Sequence, residues 1–443
     1  MGRADEPGSG VAESARPLSA EEQRDLLLDI ARRSRGTLDL QQTLDRLLDA
    51  VGGVVEYDAA GIFALTEVLG RGDGPPAARI VGVARRGYLE RPVADDRMLS
   101  GGEGLVGHAI RAGISVLARD VRREPQYIIG RRETLSEVVV PIRVDGRAIA
   151  ALDVESDRLG AFDESDLVRL EFFAEAAAMA IEKAILHRNL VELEQIGAQL
   201  KLARQVQMGL LPAGPPEIPG WEVAGMCRPS LELGGDLYDH FELSGGRWGL
   251  VIGDVAGKGV PAALIMTTFR ALLRARRSRE DLESGGPART VAAVSRLLRE
   301  TATGRGFVTC CYAALAPATG ELVYASCGHP PGLVLRRGGT IEELVNCGPA
   351  LGVFEHEEFV DRRLTLDPGE VLVLFTDGLT ESENPDGEPF GGERVRAALA
   401  GLRRAGAAAV ADGLARSVVA FAAPAELGDD LTLLVVRRLP EPR

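Results

Sequence analysis

Four aspartates stand where a carboxylate is expensive unless it does chemistry. Asp236 follows Gly234-Gly235 and opens one apolar run, and Asp254 closes the run RWGLVIGDV. Between them Ser244-Gly245-Gly246 reads as a turn. With Gly245 at its centre, each aspartate is nine residues away on opposite arms. An antiparallel hairpin then sets two like charges side by side at one end of its ladder. Asp377 ends the run VLVLFT, and Asp429-Asp430 begin the run LTLLVV. If those strands pair antiparallel, their acids also meet at one sheet edge. Carboxylates gathered at the rim of apolar strands lose hydration and repel, so a cation must offset them. All-oxygen ligands favour hard octahedral ions, Mg²⁺ or Mn²⁺. Two such ions about 3.5–4 Å apart clamp a phosphoryl group and generate a hydroxide near neutral pH. Glycines flank the acids in GGD, GDVAGKG, TDG and LGDD, which lets backbone approach the ions. Any one of these aspartates alone reads as a turn or cap residue; the four together favour metal.

The elements that position these acids follow from the hydropathy pattern. After Pro219, runs such as WEVAGMCRPS, RWGLVIGDV, VTCCYAALAP, EVLVLFTDG and DDLTLLVVRR read as strands. Helical spacing appears at residues 260–277, 288–303, 393–404 and 407–421. The second half is therefore an α/β sandwich, mostly antiparallel by its short connections. Upstream, residues 1–20 are Gly/Ser/Pro/Glu-rich and read as a disordered terminus. Apolar residues from Glu21 to Val51 fall at helical spacing, broken near Gly36. Strand-like runs follow, with Asp145-Gly146 as a tight hairpin turn. This half reads as an α+β module, an antiparallel sheet with helices on one side. Asp163 or Ser165 caps a helix that continues without proline until Leu211-Pro212. Its second half threads Leu186, Leu193, Leu200 and Gln207 at heptad spacing, with Ile196, Ala203 and Leu210 three residues after the later members. That pattern fits either a short parallel dimer seam, with Asn189 and Gln207 as polar core positions, or a helix packed on its own domain.

Composition narrows the classes. A chain of 443 residues holds two or three domains, and 45% hydrophobic with 26% charged residues is ordinary for a globular protein. A net charge of −14 with no basic, aromatic-interleaved run argues against nucleic acid as the main partner. Neither a signal peptide nor a run of about 18 apolar residues is present, so the expectation is a cytoplasmic protein with no membrane span. The cysteines, Cys227, Cys310, Cys311, Cys327 and Cys347, lack paired C-x-x-C spacing and read as buried thiols. No Cys or Ser nucleophile with a base partner is evident, so a covalent phosphoenzyme is not expected.

In order, GGDLYD, GDVAGKGVPAAL, FVTCCYAAL, CGHPPGLVLR, GPALGVFEHEEF, LFTDGLTES with GEPFG, and GDDLTLLVV resemble the metal-dependent PPM-type Ser/Thr protein phosphatases. The resemblance covers residues 220–438 and is to the bacterial branch typified by stage II sporulation protein E and the sigma-factor-regulating phosphatases. It implies an α-β-β-α sandwich with two Mn²⁺ or Mg²⁺ ions. It assigns as ligands Asp236, Asp254, the backbone carbonyl of Val255, Asp377 and Asp429, with Asp430 as the alternative at the last position. It also implies a phosphoserine or phosphothreonine protein substrate, specifically an anti-sigma-factor antagonist in a partner-switching pathway. Ala256 stands where eukaryotic members carry a His proposed as general acid, which leaves proton delivery to a metal-bound water. Arg228 is a candidate for the family's phosphate-clamping Arg or a solvated surface residue. His329 reads as a turn residue or a catalytic one, and Lys258 as a loop-shaping residue. The substrate-binding residues are otherwise unassigned.

Residues 24–188 resemble a GAF domain through GEGLVGHAIRAG, ARDVRREPQY, SEVVVPIRVDGRAIAALDVES and the helix that follows. This implies a sensory, dimerising module with a small-molecule ligand that the sequence does not identify. No Cys precedes residue 227, which excludes a thioether-linked bilin or Cys-based switch, and His108 and His187 give little support for haem. The expected order is a disordered 1–20, a GAF domain 21–188, a coiled-coil-like linker 189–213 and a phosphatase domain 220–438, as a homodimer. GGDLYD also resembles the GG-[DE]-EF hairpin of diguanylate cyclases, but that leaves TDG and GDD unexplained. GDVAGKG resembles a P-loop, but Gly259 replaces the Ser/Thr that would hold Mg²⁺. The alternative from another class is a catalytically silent scaffold that senses a ligand and binds a regulatory partner. Retention of all four aspartates argues for the enzyme.

Overall fold

The computed structural model describes residues 39–66, 80–88, 103–276, 286–301, 306–355 and 358–440, with Ser19, Glu21, Arg24, Asp25 and Leu28. The expected disordered terminus, Ser19 apart, and most of the expected helix from Glu21 to Gly36 lie outside the described residues. The chain divides into two compact units, Met1–Gln195 and Ile196–Arg443. Among the described residues no helix is long and apolar enough to cross a membrane.

The first unit is built on five strands: β1 (Ala59–Leu65), β2 (Ile80–Arg86), β3 (Val116–Ala118), β4 (Ser136–Val144) and β5 (Arg147–Ser156). Their order is β2-β1-β5-β4-β3, with every pair antiparallel. Asp145 and Gly146, both at positive φ (50° and 77°), make the two-residue turn between β4 and β5. Helices cover both faces of this sheet, not one. α1 (Leu40–Val51) and the following long helix bury one face against Ile62, Leu152 and Val154. α2 (Gly104–Ala112) covers the other through Leu105, Val106, Ala109 and Ile110, over Phe63, Val139 and Ala151. The reason is visible in β1, whose seven residues are all buried, so neither face tolerates water.

α3 runs from Glu164 to Leu210, 47 residues. Asp163 is its cap: Oδ1 accepts from the backbone N–H of Ser165 at 2.8 Å and of Asp166 at 3.0 Å. Along the heptad thread Leu186, Leu193 and Ile196 are exposed. Gln207 is not a polar position of a dimer seam. It is 6% exposed and turned into its own unit.

The second unit stacks two five-stranded antiparallel sheets. β7 (Leu237–Leu243), β8 (Arg247–Val255), β9 (Val308–Ala316), β10 (Glu321–Cys327) and β13 (Arg362–Thr365) form one, in the order β13-β10-β9-β8-β7. β6 (Trp221–Arg228), β11 (Leu333–Leu335), β12 (Ile341–Glu343), β14 (Val371–Phe375) and β15 (Leu431–Arg438) form the other, in the order β12-β11-β14-β15-β6. The alternation along β15 shows the layering. Leu434 and Val436 enter the core shared with Leu250, Ile252 and Tyr312 of the first sheet. Leu433 and Val435 face the opposite way, onto α7 (Gly391–Gly401) and α8 (Ala407–Ala422). α4 (Gly259–Ala275) and α5 (Gly286–Thr301) pack on the first sheet through Phe269 and Val291. The short α6 (Gly378–Glu381) follows β14. The result is helix–sheet–sheet–helix.

Candidate metal centre

The β7–β8 hairpin pairs Leu237 with Gly253 and Leu243 with Arg247. Extending that register by one residue sets Asp236 opposite Asp254, at the end of the ladder away from the turn. In the other sheet β14 pairs Phe375 with Leu433, and the N–H of Thr376 donates to the carbonyl of Thr432 at 3.1 Å. This brings Asp377 and the Asp429-Asp430 pair to the same sheet end. The two sheets deliver all four acids to one place. Burial first, and then the charges of Asp377 and Asp429, push Asp254 up to about 6. Burial and then Asp254 hold Asp236 well above the usual carboxylate range, although Thr376 Oγ1 donates to its Oδ2 at 2.7 Å. Burial and then Asp429 raise Asp377. These carboxylates feel one another, as like charges do when they share a buried site.

Asp430 has another task. Its Oδ1 accepts from the N–H of Ser230 at 2.8 Å and from the Ser230 hydroxyl at 3.1 Å. Its Oδ2 accepts from the N–H of Gly235 at 2.9 Å. With both oxygens held by the loop that carries Asp236, Asp430 is a strut, and Asp429 is the freer member of the pair. That packing explains the two glycines. A Cβ on Gly234 would sit 2.4 Å from Asp430 Oδ2, and one on Gly235 would sit 2.9 Å from the carbonyl oxygen of Val255. A second strut reaches the same loop from α3. Gln207 Nε2 donates to the carbonyl of Gly234 at 2.7 Å, and its Oε1 accepts the N–H of Gly234 at 3.3 Å.

Residues 244–439 match the family model of stage II sporulation protein E (SpoIIE), and residues 37–182 match that of the GAF domain. The chain is a GAF domain followed by a SpoIIE-type domain. Among similar curated proteins, protein IcfG of Synechocystis is 32% identical over 225 residues, 45% of this chain and 35% of that protein. Phosphoserine phosphatase RsbU of Bacillus subtilis is 28% identical over 205 residues, 45% of this chain and 59% of RsbU. Phosphoserine phosphatase RsbP of the same organism is 29% identical over 187 residues, 41% of this chain and 45% of RsbP. The chain thus spans a third to three fifths of the length of these relatives. The solved SiaA-PP2C domain of Pseudomonas aeruginosa aligns at 22% identity and a TM-score of 0.49, covering 56% of this chain and 98% of that one.

Around the acids of the SpoIIE domain, the remaining sequence candidates take up different positions. Lys258 Nζ lies 3.2 Å from Asp429 Oδ2 and donates to the carbonyl of Gly428 at 2.7 Å, tying the GDVAGKG loop to the GDD loop. Ala256 donates its N–H to the carbonyl of Phe307 at 2.9 Å and offers no side-chain proton. Arg228 is exposed at the end of β6, paired in the ladder with Leu431. His329 is 6% exposed, bonded through Nδ1 to Thr309 Oγ1 at 2.9 Å, and burial pushes it down to about 3. It is a neutral packing residue. The sequence reads Asp430 as the alternative metal ligand and Gln207 as a heptad position, and nothing local marks the bonds of either to the Gly234-Gly235 turn.

The donor set fits hard divalent cations. It is all oxygen, its acids raise one another, and Lys258, the described cation that reaches it, touches Asp429 at the rim. Among the described residues, three acids with ligand atoms all within 4.8 Å of one another occur in the GAF unit, not here.

Proposed function

We propose that the protein is a divalent-metal-dependent phosphoprotein phosphatase acting on phosphoserine or phosphothreonine under the control of its GAF domain. The observation that carries the reading is the shared electrostatic field of Asp236, Asp254, Asp377 and Asp429, drawn from two sheets to one edge. In this reading these four, with the carbonyl of Val255, hold two Mn²⁺ or Mg²⁺ ions. When bound, the ions supply positive charge for a phosphoryl group and lower the pKa of water enough for in-line attack on phosphorus. The chain's own part is positioning. Thr376 orients Asp236 through its 2.7 Å hydrogen bond, and Asp430 fixes the Gly234-Gly235 turn that carries it. Lys258 keeps the two acidic loops together at Asp429. Because Ala256 has no proton to give, the leaving serine oxygen is protonated by solvent.

RsbU and RsbP are named phosphoserine phosphatases, and this supports a phosphoprotein substrate here. By family resemblance that substrate is an anti-sigma-factor antagonist, met in the cytoplasm. The exposed Leu186, Leu190, Leu193 and Ile196 along α3 support a homodimer. The Gln207–Gly234 bonds offer a route by which strain in α3 reaches the Asp236 loop.

The test is release of phosphate from a phosphoserine peptide by the full chain, with Mn²⁺ and with EDTA. Mn²⁺-dependent turnover that Asp254→Ala and Asp377→Ala each abolish is the expected result. Turnover no higher than in those variants would leave a partner-binding scaffold instead.

A further inference from the structure

The GAF unit holds a second cluster of acids that the phosphatase reading does not use. Glu137 on β4 and Glu155 on β5 are direct ladder partners, and Asp153 precedes Glu155 by two residues, on the same face of the sheet. All three are buried, at 5%, 4% and 3% exposure, and one oxygen of each lies within 4.8 Å of the others. Tyr88 Oη stands 3.0 Å from Asp153 Oδ2 and 2.8 Å from Glu155 Oε1, and Thr134 Oγ1 donates to Glu155 Oε2. A phenol has one proton, so Tyr88 serves one of its two acceptors at a time. No N–H or O–H of the described residues donates to Asp153 Oδ1, which is buried beside the neighbouring carboxyls.

Such a cluster is unfavourable on its own. Burial, then the charge of Glu155, pushes Glu137 up to about 8, and burial with the charges of Glu137 and Glu155 raises Asp153 well above the usual range. Arg131 acts on Glu155 from a distance, but its guanidinium is paired with Asp157. A cation among the three acids would remove the cost. The rest of the face indicates what kind. Two residues along β5 from Asp153 is Ala151, and two along β4 from Glu137 is Val139. Both belong to the apolar cluster of Phe63, Ile110 and Tyr127 beneath α2. Mg²⁺ and Ca²⁺ take six or more oxygen or water ligands, which an apolar wall does not provide. A molecule with an ammonium head and a short hydrocarbon body matches both ends.

We propose that the GAF domain binds a small organic ammonium compound, its charged head among Glu137, Asp153 and Glu155 and its apolar body toward α2. Three N–H donors meet three carboxylates, and one of them supplies the donor that Asp153 Oδ1 lacks among the described residues. The site lies wholly in the GAF unit, and its test is binding rather than turnover, so it stands or falls apart from the phosphatase reading.

Isothermal titration of the full chain with n-butylammonium chloride tests it, with 1-butanol, CaCl₂ and MnCl₂ in parallel. The expected result is saturable binding of n-butylammonium, none of butanol, and at least about a tenfold loss of affinity in Asp153→Asn. Because that substitution removes repulsion, its thermal midpoint without ligand should equal or exceed that of the unsubstituted protein. Glu137→Gln, which touches a different strand, should lose binding in the same way. The proposal is overturned if n-butylammonium binds no better than butanol, or if both variants bind it unchanged. Ca²⁺ or Mn²⁺ binding that Asp153→Asn abolishes would also overturn it, making the cluster a metal site.

Discussion

Asp429 and Asp430 are adjacent and chemically identical, yet the fold gives them opposite duties. Asp430 accepts hydrogen bonds from Ser230 and Gly235, while Asp429 meets solvent and Lys258. No sequence pattern separates them, because the distinction rests on where the 230–236 loop lies, some 200 positions earlier in the chain. Asp430→Ala leaves buried N–H groups unpaired and should cost about 1–3 kcal/mol in denaturant unfolding. Its loss of orientation should lower phosphatase activity about 10–100-fold, as removal of a group that positions metal ligands does. Asp429→Ala should leave stability nearly unchanged and weaken Mn²⁺ binding instead. Equal unfolding midpoints for the two variants would contradict this division. The metal-ligand candidates were legible because each of their motifs couples a strand end, a glycine and an acid. The struts were not, because nothing local marks them.

Among elements, α3 was legible in length and in its cap, since a proline-free run from Asp163 to Pro212 admits little else. The destination of its last turn was not. A glutamine at a heptad core position reads as a polar notch in a dimer seam, whereas Gln207 closes two hydrogen bonds on Gly234. Gln207→Leu separates the readings. A seam position would gain dimer stability; the bonded position should lose about 1–3 kcal/mol and lower activity with it. The GAF sheet was legible as strands, but its second helical cover was missed because GEGLVGHAIRAG is short and glycine-rich. Glu137 lies on the same sheet face, buried beside Asp153 and Glu155, near Tyr88, Tyr127 and the Asp157-paired Arg131. A carboxyl raised in the folded state adds stability below its unfolded pKa and loses it as pH rises through the folded value. The GAF unit should therefore grow less stable from about pH 4.5 to 8, the interval over which Glu137 is raised. Hydrogen exchange on the β4–β5 hairpin should show the slope, and Glu137→Gln should flatten it. An unchanged slope in that variant would assign it to other groups.

At the scale of the molecule, the regulatory account depends on α3, whose 47 residues run from one unit into the other, passing on a change made at its first half. Coupling of this kind requires a ligand that favours one of two states, and an element that carries the bias. Leu193, 66% exposed, belongs to the stripe offered for pairing with a second copy. Leu193→Asp should halve the mass found by light scattering while sparing the Mn²⁺ site; a monomeric mass without the substitution would remove the dimer from the account. Inserting two residues after Asn189 should uncouple ligand response from turnover, and unchanged regulation would show that the helix does not transmit. All of this rests on the four-aspartate centre, and anomalous scattering from crystals of the full chain soaked in Mn²⁺ tests it most directly. The account predicts manganese peaks enclosed by Asp236, Asp254, Asp377 and Asp429. An empty centre there at millimolar Mn²⁺, with the protein folded and the four side chains ordered, would contradict it.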